Sequence, residues 1–284
     1  MPRFRPLYLF VPCLLALVVF CARMILPPHT AHNAFGRGTP IVLVHGLGSS
    51  REDWLPTARR LARHYSVVLV DLPGHGESDM PEPFSLERAV AELDRALIET
   101  ADGPPILVGH SLGGLVAAAE AIDHPERVRG LVLVETALKP QLPEAERAAM
   151  FERLDRDYQG VLHEAYTSFG RDSAQGEMLY RRTAVLDPHM VKPWIRLAWT
   201  ADLSRQVSRI DVPVLAVLAE RSWPKDESWD SEARVLGYLD MRRLRATRIA
   251  DCGHFVMLDH PVELAALIQS FAADPDGVKI AASR

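Results

Sequence analysis

The chain has 284 residues, 48% of them hydrophobic and 24% charged, with a net charge of −5 and a sequence pI near 6.1. That length is ample for a sizeable core and fits one large or one-and-a-half globular domains, while the acidic balance excludes the basic footprint of a nucleic-acid binder. The three cysteines exclude a disulfide framework: on one helix Cys13 and Cys21 would sit about 12 Å apart, beyond bridging reach, and Cys252 stands alone in the remainder.

The chain opens with MPRFRPLYLFVPCLLALVVFCARMILPPH, in which Arg3 and Arg5 precede an uncharged stretch from Leu7 to Ala22. Arg23 could snorkel and let an apolar helix run on to Leu26. Residues 1–26 are therefore expected to be a signal-anchor or transmembrane segment, and the leading arginines predict that the bulk of the chain lies outside the cytoplasm. A cleaved signal, which would leave a secreted or periplasmic protein, is the rival; Phe20 occupies the place where a cleavage site wants a small residue. Residues 27–39 read as a polar linker.

From residue 40 onward, apolar strands alternate with helical segments. PIVLVHG (40–46) reads as a buried strand, REDWLPTARRLARH (51–64) as a helix, and YSVVLVDLPGHG (65–76) as a strand ending in a glycine-rich turn. SLERAVAELDRALIETA (85–101) is a helix with Ser85 as N-cap and Leu86, Val90, Leu93 and Leu97 on one face. PPILVGHS (104–111), SLGGLVAAAEAIDHP (111–125) and VRGLVLVE (128–135) read as strand, helix and strand. Short, non-alternating, β-branched strands separated by helices predict an α/β fold with a doubly wound, mostly parallel sheet. Residues 136–210 break the rhythm with helical patterns over 143–162 and 188–203, and are expected to form a cap over the C-terminal edge of the sheet. Strands resume at VPVLAVLAE (212–220) and RATRIAD (245–251), and a helix over 260–274 precedes the tail 275–284. The core is thus expected in 40–135 and 211–274.

Gly109-His110-Ser111-Leu112-Gly113 is a G-x-S-x-G placed where a strand ends and a helix begins. A sharp, crowded turn there needs glycine on either side of a serine whose hydroxyl is lifted clear of the backbone. The Leu112 N–H, at the helix N-terminus, can donate to a developing oxyanion. A second donor is expected from the loop His45-Gly46-Leu47-Gly48, at the Leu47 N–H. A serine hydroxyl needs a base. Among eleven histidines the candidate is His254, in DCGHFVMLDHP after the last strand. His260 is the weaker choice, His110 is expected to point away from the turn, and His75 is expected to be structural or solvent-facing. The apolar run LVLV ends in Glu135, whose carboxylate would be costly to bury without a partner.

These motifs (HG-L-G, D-L-P-G-H-G-E-S, G-H-S-L-G and the G-H before the last helix) together resemble the α/β-hydrolase superfamily over residues 40–274. The resemblance implies a mostly parallel sheet, a helical cap inserted after the sixth strand, and no cofactor or metal. Little sequence precedes PIVLVHG for the family's leading hairpin, which leaves the first strands open. Most relatives also carry an aspartate in the loop after the PVLAVLAE-type strand, whereas here that position falls on Ser222. Some families place the acid at the end of the preceding strand, which in this chain is Glu135. The resemblance thus implies Ser111 as nucleophile, His254 as base, Glu135 as its acid and the Leu47 and Leu112 N–H groups as oxyanion hole. Glu220 and Asp226 remain alternative acids. The implied function is a serine hydrolase cleaving carboxylic esters through an acyl-enzyme, acting on a small-molecule, apolar ester. Other Ser-His-acid chemistry on the same fold, such as C–C bond hydrolysis, perhydrolysis or a lyase reaction, and an inactive binding module are the alternatives. Met150, Phe151, Trp194 and Trp199 of the cap are expected mostly to form the cap's own core, with an acyl pocket as their other reading.

Overall fold

The computed structural model describes residues 29–277. The expected signal-anchor segment 1–26 lies outside them. Among the described residues no helix is long and apolar enough to cross a membrane.

Seven strands form one sheet: β1 (His32–Gly36), β2 (Pro40–Val44), β3 (Ser66–Val70), β4 (Ile106–His110), β5 (Gly130–Val134), β6 (Val214–Ala219) and β7 (Leu244–Ile249). Their order across the sheet is β1-β3-β2-β4-β5-β6-β7; all neighbouring pairs are parallel except β1 with β3. Every residue of β2, β4, β5 and β6 is buried. This is why those strands read as unbroken apolar runs: covered on both faces, they have no solvent side to mark with polar residues.

Two expectations are corrected at the N-terminal side. Residues 27–39 are not all linker, because His32–Gly36 form the antiparallel edge strand β1. Four of its five residues are exposed, so its order comes from the backbone ladder to β3 and left no apolar signature. Because this single strand precedes β2, the helical block follows the fifth strand among the described residues, not the sixth.

The helices of the core are α1 (Leu55–Leu61), α2 (Leu86–Thr100) and α3 (Leu112–Asp123). The segment expected as a helix from 51 starts as a 3₁₀ turn over Arg51–Trp54, with Pro56 at the head of α1. The Ser85 hydroxyl accepts from the Arg88 N–H at 3.3 Å, a cap of the kind that stabilises a helix by about 1 kcal/mol. Four cap helices follow between β5 and β6: α4 (Glu144–Arg156), α5 (Tyr158–Phe169), α6 (Ser173–Ala184) and α7 (Pro188–Thr200). The run 143–162, expected as one helix, is broken at Asp157, which leaves helical geometry and caps α5 by accepting from the Gly160 N–H at 3.1 Å. After β6 come α8 (Trp229–Leu236), the single turn α9 (Val256–Asp259) and α10 (Pro261–Ala273).

Register sets the site. His110 pairs with Val134 and Val134 with Val217, so β4, β5 and β6 end in line. The next residues, Ser111 and Glu135, are tied across the same edge: Ser111 N–H donates to Val134 O and Glu135 N–H to Val217 O, both at 2.9 Å. In open parallel sheets this carboxyl edge is where ligands bind.

Candidate active site

Ser111 sits at φ 52°, ψ −121° between β4 and α3. An L-residue holds such a conformation only where its surroundings over-determine it. The glycines do so here. A Cβ on Gly109 would lie 2.5 Å from the Gly113 carbonyl oxygen and from Gly114 Cα, and one on Gly113 would strike the His45 carbonyl. Helix and strand can approach this closely only without side chains, and the turn then presents the Ser111 hydroxyl, partly exposed, at the head of α3.

Glu135 is the second residue in a left-handed backbone conformation, at φ 49°. Its side chain is buried and has three donors. Oε1 accepts from the Ala219 N–H at 2.7 Å, while Oε2 accepts from the Ser222 hydroxyl and from His254 Nδ1, both at 2.9 Å. Arg221 Nη1 lies 3.8 Å from the same oxygen. Three hydrogen bonds to one buried carboxylate offset much of what burying it costs. Glu220 instead pairs with Lys225 at 3.3 Å, and Asp226 is exposed; neither hydrogen-bonds His254. Ser222, where the family resemblance led an acid to be expected, instead donates its hydroxyl to Glu135, the residue just after β5.

The Nδ1–H bond to Glu135 leaves His254 Nε2 as the basic nitrogen. Ser111 and His254 line one cavity of about 140 Å³ beneath the cap. No hydrogen bond joins the Ser111 hydroxyl to His254 in this structure; such bonds commonly tighten only when substrate is bound. His254 is held by His110, whose Nε2–H donates to the His254 carbonyl at 2.9 Å, with ring centroids 4.7 Å apart. His110 therefore does not point away from the site as expected; it lines the cavity and its ring packs against that of His254. It is fully buried, which holds its pKa well below the usual imidazole range, so it is a neutral donor.

Leu47 and Leu112 line the same cavity, and among the described residues neither backbone N–H has an acceptor. Unpaired amides in residues that line a pocket are what an anion would need. The Leu47 loop is braced by two buried histidines. His45 donates from Nδ1 to Gly46 O at 2.7 Å and accepts from Leu72 N–H at 3.0 Å; His75 donates to Pro73 O at 3.1 Å and accepts from Gly48 N–H at 3.2 Å. Burial pushes their pKa values down to about 4 and about 3. Each accepts at Nε2, which requires the neutral ring. His75 is thus structural and not solvent-facing. His260 is occupied elsewhere, by the Asp251 carbonyl at 3.2 Å.

The cap supplies most of the remaining wall. Trp199 lines the cavity and stacks on Phe151 behind it, centroids 5.9 Å apart. Trp194 is fully buried at the cap–core seam, donating its indole N–H to Pro73 O at 3.0 Å. Met150 is half-buried on α4 and takes no part in the cavity. Val161, Leu162, Ala165, Tyr166, Phe169 and Ile195 add to a lining with no acidic, lysine or arginine side chain. Tyr166 and Phe169 carry contacts that sequence reasoning missed: the Tyr166 hydroxyl donates to Leu47 O at 2.8 Å, and the Phe169 carbonyl accepts the His254 N–H at 2.8 Å. Their aromatic spacing on α5 offered only the generic signal of a packed helix face.

A family model described as "Alpha/beta hydrolase family" matches residues 41–267. Among curated relatives, the pimeloyl-[acyl-carrier protein] methyl ester esterase of Xanthomonas oryzae pv. oryzae is 30% identical over 259 residues, covering 85% of this chain and 98% of the relative. The esterase of the same description from Vibrio cholerae is 35% identical over 194 residues, covering 63% of this chain and 74% of its own. Among solved structures, a thermophilic esterase from Thermogutta terrifontis superposes with a TM-score of 0.71 at 25% identity, covering 88% of this chain and 95% of that one.

Proposed function

The chain belongs to the alpha/beta hydrolase family, and from that premise we propose that it is a serine hydrolase that cleaves carboxylic esters through an acyl-enzyme. Ser111 attacks the carbonyl carbon while His254 Nε2 takes its proton. Glu135 fixes the ring's orientation and stabilises the imidazolium as it forms. The N–H groups of Leu47 and Leu112 hold the oxyanion. His254 then returns the proton to the departing alkoxide, and water releases the acid by the same steps in reverse order. The observation that carries this reading is the Glu135–His254 hydrogen bond at 2.9 Å beside a strained Ser111 in one cavity.

The apolar lining favours an uncharged acyl group. A cavity of about 140 Å³ is close to the size of one that holds a benzene molecule, so acyl chains of about six carbons or fewer fit within it. Each methylene that enters contributes about 0.8 kcal/mol. The esterase names of the relatives support ester cleavage as the reaction. The test is a series of p-nitrophenyl esters from acetate to dodecanoate, with fluorophosphonate labelling of wild type against Ser111→Ala. Specificity that rises from acetate and turns over near hexanoate supports the reading. No turnover with any chain length, or labelling that survives in Ser111→Ala, overturns it.

We further propose, on the sequence of residues 1–26 alone, that the enzyme is membrane-anchored with its catalytic domain outside the cytoplasm. Recovery of full-length chain in the soluble cytoplasmic fraction would refute this.

A further inference from the structure

The two loops that the chemistry depends on are both fastened to the same turn of one cap helix. Tyr166 is 2% exposed, and its buried hydroxyl meets its need for a partner by donating to Leu47 O at 2.8 Å. Leu47 carries one of the two unpaired amides. The following residue, Gly48, sits at φ +70°, and a Cβ there would collide with the Tyr166 hydroxyl, so loop and helix are fitted to each other. Thr183 of α6 adds a weaker bond to Gly48 O at 3.4 Å.

One turn along the same helix face, Phe169 holds the base. Its carbonyl accepts the His254 N–H at 2.8 Å, and its ring stacks on the imidazole with centroids 4.6 Å apart and planes 28° from parallel. A Cβ on Gly253 would lie 2.6 Å from the Phe169 oxygen and 2.5 Å from the Arg171 nitrogen. The two backbones therefore meet at a distance only glycine permits. Asp259 closes the clamp: it accepts from Gly253 N–H at 2.8 Å, from Gln175 at 2.5 Å and from Arg171 at 3.1 Å. The Tyr166 and Phe169 rings are themselves in edge contact, centroids 5.5 Å apart.

We propose that the Tyr166–Phe169 turn of the cap is the positioning element that sets the oxyanion loop and the base relative to each other. The cap in this protein acts as part of the catalytic frame and not only as a lid. Tyr166 acts through the Leu47 loop, whereas Phe169 acts on His254 directly, by its carbonyl and by its ring. The assignment rests on Ser111 being the nucleophile and His254 the base. Its physical basis is that the two loops come from opposite ends of the chain, and among the described residues α5 is the element bonded to both.

Tyr166→Phe removes one hydroxyl and keeps the ring. Misplacing a catalytic group by about 1 Å costs up to about 100-fold in rate, so the expected loss in kcat is about 10- to 100-fold with KM changed by less than about threefold. A boronic acid that mimics the tetrahedral intermediate should bind more weakly by the same factor as kcat/KM. A thermal melt establishes that the variant is folded. Phe169→Leu keeps the carbonyl but removes the stack, and should shift the acid limb of the kcat/KM profile against pH, with Phe169→Tyr restoring it. Ser168→Ala, an exposed side chain on the same turn, should leave kcat unchanged. A Tyr166→Phe enzyme with kcat within about threefold of wild type, or with unchanged boronate affinity, overturns the proposal. An unmoved pH profile in Phe169→Leu removes its second half. Fluorophosphonate labelling of Ser111 reports the nucleophile separately, so an active-site serine that labels beside a silent Tyr166→Phe counts against positioning alone.

Discussion

Replacing Glu135 by glutamine tests the carboxylate that hydrogen-bonds His254. The carboxylate receives three donors: Ala219 N–H on Oε1, and His254 Nδ1–H and the Ser222 hydroxyl on Oε2. An amide has one oxygen and cannot serve all three. If that oxygen stays on Ala219, the NH₂ group faces His254 and forces the tautomer with Nε2 protonated, which cannot take the serine proton. If it turns to His254, the buried Ala219 N–H loses its acceptor at a cost of about 1–3 kcal/mol. In both arrangements the charge that balances the imidazolium is gone. At the observed separation of 2.9 Å, with an effective dielectric of about 20, that attraction is about 6 kcal/mol. At about 1.4 kcal/mol per decade this corresponds to about 10⁴ in kcat. KM should change little, because Glu135 does not line the apolar cavity. Steady-state kinetics on p-nitrophenyl butyrate read both constants. A Glu135→Gln enzyme within about tenfold of wild type would refute the reasoning, as would a severe effect of Glu220→Gln or Asp226→Asn beside a mild one at 135. Adding Ser222→Asp to Glu135→Gln should recover part of the rate, since that side chain already reaches the same oxygen.

Ser111→Ala should abolish acyl-enzyme formation, seen as loss of the burst phase and of probe labelling; surviving burst kinetics would remove the mechanism. Gly109→Ala should destabilise the fold by about 1–3 kcal/mol, because the added methyl meets backbone atoms at 2.5 Å that no rotamer change can move; denaturant titration measures it. Acid should weaken the fold. His45 and His75 are neutral when folded, with pKa values near 4 and 3, against about 6.5 unfolded. Below pH 6.5 the unfolded chain takes up protons that the native state refuses, so stability falls as pH falls and the loss saturates below the folded values. At pH 5 each ring costs about 2 kcal/mol relative to pH 7, and buried His110 adds in the same direction. The melting temperature should drop by about 10 °C between pH 7 and pH 5; a flat profile in calorimetry would contradict neutral buried rings.

The sequence alone determined whatever depends on neighbours within one element. Unbroken apolar runs at β2, β4, β5 and β6 required a sheet buried on both faces, and G-H-S-L-G between a strand and a helix required a crowded turn with serine at its tip. Ser85 marked its helix by capping chemistry, and Ser111, Glu135 and His254 stood at strand ends on that basis. Tertiary structure decided what depends on atoms far apart in the chain. Three carboxylates could have served His254, and only the register of β5 against β6, with the Ala219 amide and Ser222 hydroxyl aimed at Glu135, singles one out. The strand β1 left no apolar pattern because four of its five residues are exposed and a backbone ladder joins it to β3. His110 and His75 looked incidental because their partners, the His254 carbonyl and the Gly48 amide, belong to other loops. Tyr166 and Phe169 read as ordinary helix-face aromatics for the same reason. Periodicity records which face of an element is buried; it carries no record of which hydrogen-bond partner waits there.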